Sequence, residues 1–288
     1  MASNTQDALA ALRKRTLVQD DVSDPGGRIY RDSKGQIYHS VTRILQATQS
    51  EAAKKALERW QERLGPQLAT QERDTAASRG TLVHSQAEYF CKTTMQLARN
   101  TANRRNALKW DNQGLARIPH PITKWALERV YPNLPRAGWS ASGYSSGLSE
   151  WIRENCTEIF ASEFSTYHCA GFAGTADALV SLEGHGKKIF VCDWKTSAKR
   201  KTLEDENGNE RLPDSHNYIH QCGAYSLGLR YLCPSIEVAG AAIVLARRVG
   251  PPNVHIMHKD ELVQAEDAFL ERVATYFENL HTAIHCSG

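Results

Sequence analysis

Apolar positions follow two regimes along this chain. Between residues 51 and 97 they recur three and four apart, the spacing of amphipathic helices. Ser50 is placed to cap a helix over Glu51–Leu64 whose stripe is Ala53, Leu57 and Trp60, and Gly65-Pro66 stops it. A further helix is expected over about 75–97. Beyond residue 150 the apolar positions fall in short runs instead. After a helix around Trp151, residues 157–167, 172–182 and 188–195 read as strands, the last two joined by the turn Glu183-Gly184-His185-Gly186. A polar loop over 202–215 leads to a helix over 217–231. Strands at 237–246 and 254–258 and a last helix over 260–280 follow.

Upstream, residues 28–38 alternate about a turn at Ser33-Lys34-Gly35, which predicts a small β-hairpin. Ser40 is placed to cap a short helix carrying Val41, Ile44 and Leu45. The stretch 98–147 is the least regular. It holds a polar run at 100–105, a break at Pro119–Pro121, a helical pattern over 123–130 and a Gly/Ser-rich patch over 138–147, and it reads as an inserted helical region with mobile joints. Helices first and a strand core with flanking helices afterwards predict an α/β fold with a helical N-terminal portion. Residues 1–288 are expected to form one domain, with 1–149 mainly helical and 150–288 the α/β core.

Composition narrows the function little. Thirty-five Lys and Arg against 32 Asp and Glu leave a formal charge of +3, so only clustering of the positive charge would argue for nucleic acid. The seven cysteines lie scattered at 91, 156, 169, 192, 222, 233 and 286, and none forms a CxxC pair. That spacing predicts neither zinc nor an iron–sulfur cluster, and suits reduced thiols in a cytoplasmic protein. No apolar run approaches ~20 residues, so no membrane partner is expected. The first 27 residues read as an amphipathic lead containing Arg13, Lys14 and Arg15, then a polar link closed by Pro25-Gly26-Gly27. The lead lacks a secretory apolar stretch; Asp7, Asp20 and Asp21 count against a transit peptide, although organellar targeting stays open.

The chemistry begins at Val191-Cys192-Asp193-Trp194-Lys195. The apolar residues before Asp193 predict a buried strand, in which alternate residues share a face ~6.6–6.8 Å apart. Asp193 and Lys195 therefore point one way, and Trp194 into packing on the other. A buried carboxylate and ammonium are costly unless they pair or bind a metal. Gly174-Thr175-Ala176-Asp177 lies on the preceding strand, and pairing across the 183–187 turn would bring Asp177 toward Asp193. Two facing carboxylates repel unless a divalent cation sits between them. Mg²⁺ or Mn²⁺ held by Asp177 and Asp193 would suit phosphodiester hydrolysis, in which negative charge grows toward the transition state. Lys195 would orient or deprotonate the attacking water, or stabilise the phosphate. A plain Asp–Lys pair at a strand end would have the same local sequence.

Four motifs in order resemble the PD-(D/E)xK nuclease superfamily and, more narrowly, its RecB-type exonuclease branch. Arg79-Gly80-Thr81-Leu82-Val83-His84 looks like the branch's G-x-x-x-H motif, Gly174-Thr175-Ala176-Asp177 like G-x-x-D, Asp193-Trp194-Lys195-Thr196 like D-x-K with its following Thr, and Gln221-Cys222-Gly223-Ala224-Tyr225 like Q-x-x-x-Y. They span about half the chain. The segment Tyr38-His39-Ser40-Val41-Thr42-Arg43-Ile44-Leu45, followed by 57–65, is similar to small single-domain members of the mitochondrial genome maintenance exonuclease kind. The resemblance implies a restriction-endonuclease-like core, a central mixed sheet flanked by helices. It implies His84 as an added metal ligand and Glu163 as an acid beside the metal. It also implies single-stranded DNA drawn past the site and cut from an end. Iron–sulfur members need four suitably placed cysteines, a pattern absent here.

Residue chemistry adds detail. Gly80 and His84 share a helix face, and Gly80 is expected to let that helix approach the sheet closely. Glu88 extends the face. Gln221 and Tyr225, also four apart, present an amide and a phenol together. Thr196 and the cluster Lys199-Arg200-Lys201 are expected to hold phosphates beside the site, with Arg104-Arg105 as a second basic cluster. Trp110, Trp139, Tyr144 and Trp151 are candidates for base stacking. The expected function is a single-strand-preferring DNA exonuclease of repair, recombination or replication. A flap or structure-specific endonuclease, or a non-catalytic DNA-binding subunit, would share the fold; no protein partner is indicated.

Overall fold

Two serines set where the first helices begin. In the computed structural model, which describes residues 17–20, 28–135, 138, 141–198, 201–204, 208–213 and 216–286, Ser40 Oγ accepts the Arg43 N–H and Ser50 Oγ the Ala53 N–H. Each side chain satisfies an amide that the first helical turn leaves without a partner. The helices are α1 (Val41–Ala47), α2 (Glu51–Leu64) and α3 (Pro66–Arg104). Gly65, at φ 79°, breaks α2 from α3. Pro66 then takes the first turn of α3, where its missing N–H costs nothing. α3 is longer than the expected 75–97, because nothing between Pro66 and residue 75 opposes helix. Its 39 residues span about 58 Å at 1.5 Å per residue. The expected lead over 1–16 and the link over 21–27 lie outside the described residues.

The region expected to be irregular is largely ordered. A two-residue hairpin, β4 (Lys109–Trp110) and β5 (Ala116–Arg117), is tied by Asp111: Oδ1 accepts the Gln113 and Leu115 amides and Oδ2 accepts Arg117 Nε at 2.7 Å. α4 (His120–Val130) follows, then α5 (Ser142–Asn155). The Gly/Ser-rich patch was expected to be a joint. Instead, from Ser142 it is helix, because Tyr144, Leu148, Trp151 and Ile152 form one buried stripe that outweighs the local composition.

Among the described residues, eight strands build the main sheet. β1 (Val18–Asp20), β2 (Ile29–Arg31) and β3 (Ile37–Ser40) form an antiparallel run, so the N-terminal portion contributes strands as well as helices. β3 lies parallel to the first residues of β7 (Phe172–Leu182), whose other edge carries β6 (Cys156–His168) along its length. β7 pairs antiparallel with β8 (Ile189–Thr196), β8 parallel with β11 (Val238–Ala246), and β11 antiparallel with β12 (Asn253–His258). A small hairpin, β9 (Leu203–Glu204) and β10 (Glu210–Arg211), punctuates the polar loop before α6 (Asn217–Leu232); α7 (Lys259–Cys286) closes the chain.

Each sheet face buries its own core. Val191, Ile243 and Leu245 pack with Cys222, Tyr225, Leu262 and Phe269 from α6 and α7. Phe190, Cys192 and Trp194 pack with Val83, Phe90, Leu148 and Trp151 from α3 and α5. The fold is therefore a mixed sheet between helical layers, as expected of a restriction-endonuclease-like core. Among the described residues no helix is long and apolar enough to cross a membrane.

Two glycines of the sequence motifs behave differently. A Cβ on Gly174 would lie 2.7 Å from Tyr225 Cε1 and 3.1 Å from Val41 Cγ2, so this glycine lets α6 seat its tyrosine on β7. A Cβ on Gly80 would meet nothing within 4 Å. The expected close approach of α3 at Gly80 is thus absent, and that side of the helix faces open space. In urea denaturation, Gly174→Ala is expected to lose about 1–3 kcal/mol through overpacking. Gly80→Ala is expected to gain about 0.5–1 kcal/mol through helix propensity. A neutral Gly174→Ala would show that Tyr225 does not need the space.

Candidate active site

The site occupies a gap in the sheet. β7 and β8 pair over only three residues, Ala178–Val180 with Phe190–Cys192. The same register would set Asp177 opposite Asp193, but there the strands part. β8 continues to Thr196 along β11, while β7 turns its early residues to β3. One side chain spans the opening: Asp177 Oδ2 accepts the Trp194 backbone N–H at 2.5 Å. Asp177 thereby takes the place of a ladder hydrogen bond, and an amide that would otherwise be buried without a partner is satisfied.

The other oxygen of Asp177 faces α3. His84 Nδ1 lies 2.8 Å from Oδ1. Glu163 Oε1 is 4.0 Å from the same imidazole nitrogen. Glu163 reaches it from the middle of β6 with φ at 48°, a left-handed backbone that non-glycine residues adopt at a cost of about 1–3 kcal/mol and that clusters at functional sites. His84, Glu163 and Asp177 each offer one ligand atom, and these lie within 4.8 Å of one another. The imidazole and the Glu163 carboxylate are 29% and 27% exposed, so water and substrate can reach them.

Asp193 and Lys195 sit beside this trio, on the α6 side of β8. Lys195 Nζ lies 2.8 Å from Oδ1 and 2.7 Å from Oδ2 of Asp193, and 5.1 Å over the Tyr218 ring. Asp193 is 1% exposed, and its Oδ2, though touching the ammonium, receives no hydrogen bond of good geometry. Trp194 points the other way and packs edge-on against Trp151 at 5.8 Å.

Protonation follows from this crowding. Burial and then the Asp177 charge push Glu163 up to about 8. Burial raises Asp193 to about 6, with Asp177 adding to it and Lys195 opposing. For Lys195 burial favours the neutral amine, but Asp193 and Asp177 outweigh it and raise its pKa. For His84 burial likewise opposes charge, and Asp177 overcomes it, raising the imidazole. Asp177 stays below its ordinary value: burial would raise it, but His84, Lys195 and the Trp194 amide together hold it ionised. Within the side chains themselves, the acids are balanced by protons and by the cations beside them.

The donors fit a divalent cation. One imidazole nitrogen and two carboxylate oxygens converge in a partly open site, and a further buried carboxylate oxygen lacks a hydrogen bond alongside.

The remaining sequence-predicted residues are placed as follows. Gln221 and Tyr225 are buried on α6, and Gln221 Nε2 donates to the Tyr225 hydroxyl at 2.6 Å. Thr196 Oγ1 accepts from Arg79 Nε at 3.4 Å. Lys201 donates to the Tyr218 hydroxyl at 2.9 Å and lies over its ring. Lys199, Arg200 and Trp139 lie outside the described residues. Glu88 pairs with Lys92 on the exposed side of α3. Arg104 is twenty residues along α3 from His84, roughly 30 Å, so the second basic cluster is remote. Tyr144 and Trp151 are buried in the α3–α5 core and cannot stack on a base; Trp110, 43% exposed, is open. Sequence reasoning gave no role to Arg79 or Tyr218. Arg79 stands beside the Gly80 motif, but nothing in its spacing marks it, since its partners Thr196 and Tyr144 are distant in sequence.

A model of the PD-(D/E)XK nuclease superfamily matches residues 55–286. A search of curated proteins returns no match.

Cation binding requires these groups as carboxylates and neutral imidazole, so at pH 7 it must displace the protons held by Glu163 and His84. Calorimetric titration with Mn²⁺ in buffers of different ionisation enthalpy is expected to show net proton release at pH 7. Affinity should weaken steadily from pH 8 to pH 6. Binding without proton release would place the cation elsewhere.

The pair of buried Asp193 and half-buried Lys195 also makes a stability prediction. Asp193→Leu or Lys195→Met alone is expected to cost about 3–5 kcal/mol, because each strands an unpaired charge. The double variant should cost far less than the sum. Additive losses would mean that the two charges are not coupled.

Proposed function

The chain belongs to the PD-(D/E)XK nuclease superfamily, whose members hydrolyse phosphodiesters with divalent metals, and from that premise we propose that it is a Mg²⁺- or Mn²⁺-dependent deoxyribonuclease cutting single-stranded DNA from an end. The observation that carries the proposal is the parted β7–β8 edge. It gathers His84, Glu163 and Asp177 within 4.8 Å and holds Asp193 and Lys195 alongside.

His84, Asp177 and Asp193 would hold the cation, with Glu163 beside it. When bound, the cation supplies Lewis acidity toward water and toward a phosphoryl oxygen. Everything else comes from the chain. Lys195 is a charged donor fixed by Asp193, placed to orient water or to meet charge growing on the phosphate. Trp194 N–H fixes one oxygen of Asp177 and so aims the other at the site. Gln221 and Tyr225 brace α6 against β7 through Gly174 and act by positioning. Thr196 and Lys201, with Lys199 and Arg200 in the same segment, provide hydrogen-bonding and basic groups for the DNA backbone.

End-dependence is supported by the helical portion. α2 has no buried residue, and the first half of α3 is mostly exposed up to the turn that carries His84. These helices give a strand a surface to follow into the site, which together with the resemblance of the four motifs to RecB-type exonucleases supports the end-dependent reading.

End-labelled linear and circular single-stranded DNA, incubated with Mg²⁺ or Mn²⁺, separate the possibilities. The expected result is degraded linear DNA, intact circles, and a loss on the order of 10²–10³-fold in rate for Lys195→Ala, which removes a donor aimed at developing charge. Cleavage of circles would retain the nuclease and reject end-dependence. No cleavage by folded protein with either metal would reject the enzyme.

A further inference from the structure

We propose that Arg79 is a phosphate-binding residue of the active site, holding a phosphodiester of the DNA strand across the open face of α3 between its guanidinium and His84. The proposal deepens the nuclease reading and rests on it.

Arg79 is held in place but not neutralised. Its guanidinium lies 4.8 Å over the Tyr144 ring, and Nε reaches Thr196 Oγ1 at 3.4 Å. Among the described residues no carboxylate pairs with it, and its two terminal nitrogens make no hydrogen bond. Other arginines near the sheet are engaged differently: Arg117 meets Asp111 and Glu158, and Arg230 meets Glu266. A buried aromatic platform and a hydroxyl therefore fix Arg79 without using its paired N–H donors. Those donors match a phosphate in a planar, two-pronged fashion that lysine cannot reproduce.

Its position also fits. Thr196 directly follows Lys195, so Arg79 contacts the end of the strand that carries Asp193 and Lys195. Along α3 it precedes His84 by five residues, about 7.5 Å. Gly80 stands between them, and a Cβ there would meet nothing within 4 Å, so the helix surface between cation and imidazole is clear. Lys195 is paired with Asp193, whereas Arg79 from the α3 layer and Lys201 from the α6 side have no acidic partner among the described residues. These two cations, neither balanced by an acid among the described residues, thus flank the end of β8 from opposite layers, where a polyanion would need them.

The test uses the full chain and a single-stranded oligonucleotide, with affinity measured by fluorescence anisotropy in EDTA over a salt series and turnover measured with Mn²⁺. Arg79→Gln is expected to weaken DNA affinity about tenfold or more. It should reduce the slope of log affinity against log salt by about 0.7, the value of one phosphate contact on a single strand. Its Mn²⁺ affinity should be unchanged. Arg79→Lys should keep the salt slope yet lower turnover about tenfold, because the charge remains and the two-pronged geometry is lost. Gly80→Leu, whose Cβ would meet nothing within 4 Å, should weaken DNA binding without lowering the melting temperature. Unchanged affinity, slope and turnover in Arg79→Gln, with wild type active, would overturn the proposal alone. Wild type that neither binds nor cuts DNA would overturn the nuclease reading with it. If Arg79→Gln fails to fold, Arg79→Lys decides: unaltered turnover reduces Arg79 to packing on Tyr144.

Discussion

The short contact between the Asp177 carboxylate and the Trp194 amide governs much of what this fold can do. Two antiparallel strands that stayed paired would bury the Asp177–Asp193 edge in a continuous ladder, closed to substrate. Two strands that parted without a bridge would leave a buried amide unsatisfied, at a cost comparable to a lost hydrogen bond. Asp177 resolves this with one oxygen and keeps the other for His84. The separation of β7 from β8 is thus stabilised by the residue that the opening exposes.

Charge crowding is the second constraint. Asp177, Asp193 and Glu163 meet in a space too small for three free carboxylates, so one is ionised against His84, one is paired with Lys195 and one is driven toward its protonated form. Glu163 also sits in a left-handed backbone inside a strand. These features cost stability, and the two well-filled cores on either face of the sheet offset them. A plain structural ion pair at a strand end would need neither the strained Glu163 nor the imidazole beside it. Their presence weighs toward a centre built to exchange protons for a cation.

Much of this was legible in the sequence because it depends on local rules. The Ser40 and Ser50 caps, the 183–186 turn and the strand runs follow from near neighbours, and alternation alone placed Trp194 opposite Asp193 and Lys195. What was hidden depends on long-range packing. The Gly/Ser-rich start of α5 reads as a joint in a helical region until Tyr144, Leu148 and Trp151 find a core to fill. That same core removes Tyr144 and Trp151 from any role in stacking. Gly80 was misread because a motif glycine suggests close approach, and only the space around it distinguishes contact from clearance. The gap between β7 and β8 has no signature at all: the register across the turn predicts continued pairing, and the departure is set by β3 and β11 competing for opposite ends of the two strands.

The same competition explains why the candidate residues come from every layer. β8 ends where its partner on one side has left and its partner on the other still runs, so its last residues can be reached from both faces. α3 delivers His84 and Arg79 from one face, and α6 delivers Tyr218 and the Gln221–Tyr225 brace from the other. Sites at the carboxyl ends of strands in open α/β sheets arise where neighbouring strands diverge, for the same geometric reason. Here the divergence is sharpened by a buried carboxylate. The helices need no special conformation to contribute; they only need to cover the sheet where it opens. A mutation that tightened β7 against β8 would therefore remove the site even if every motif residue survived, because the residues supply the chemistry and the parted strands supply the room for it.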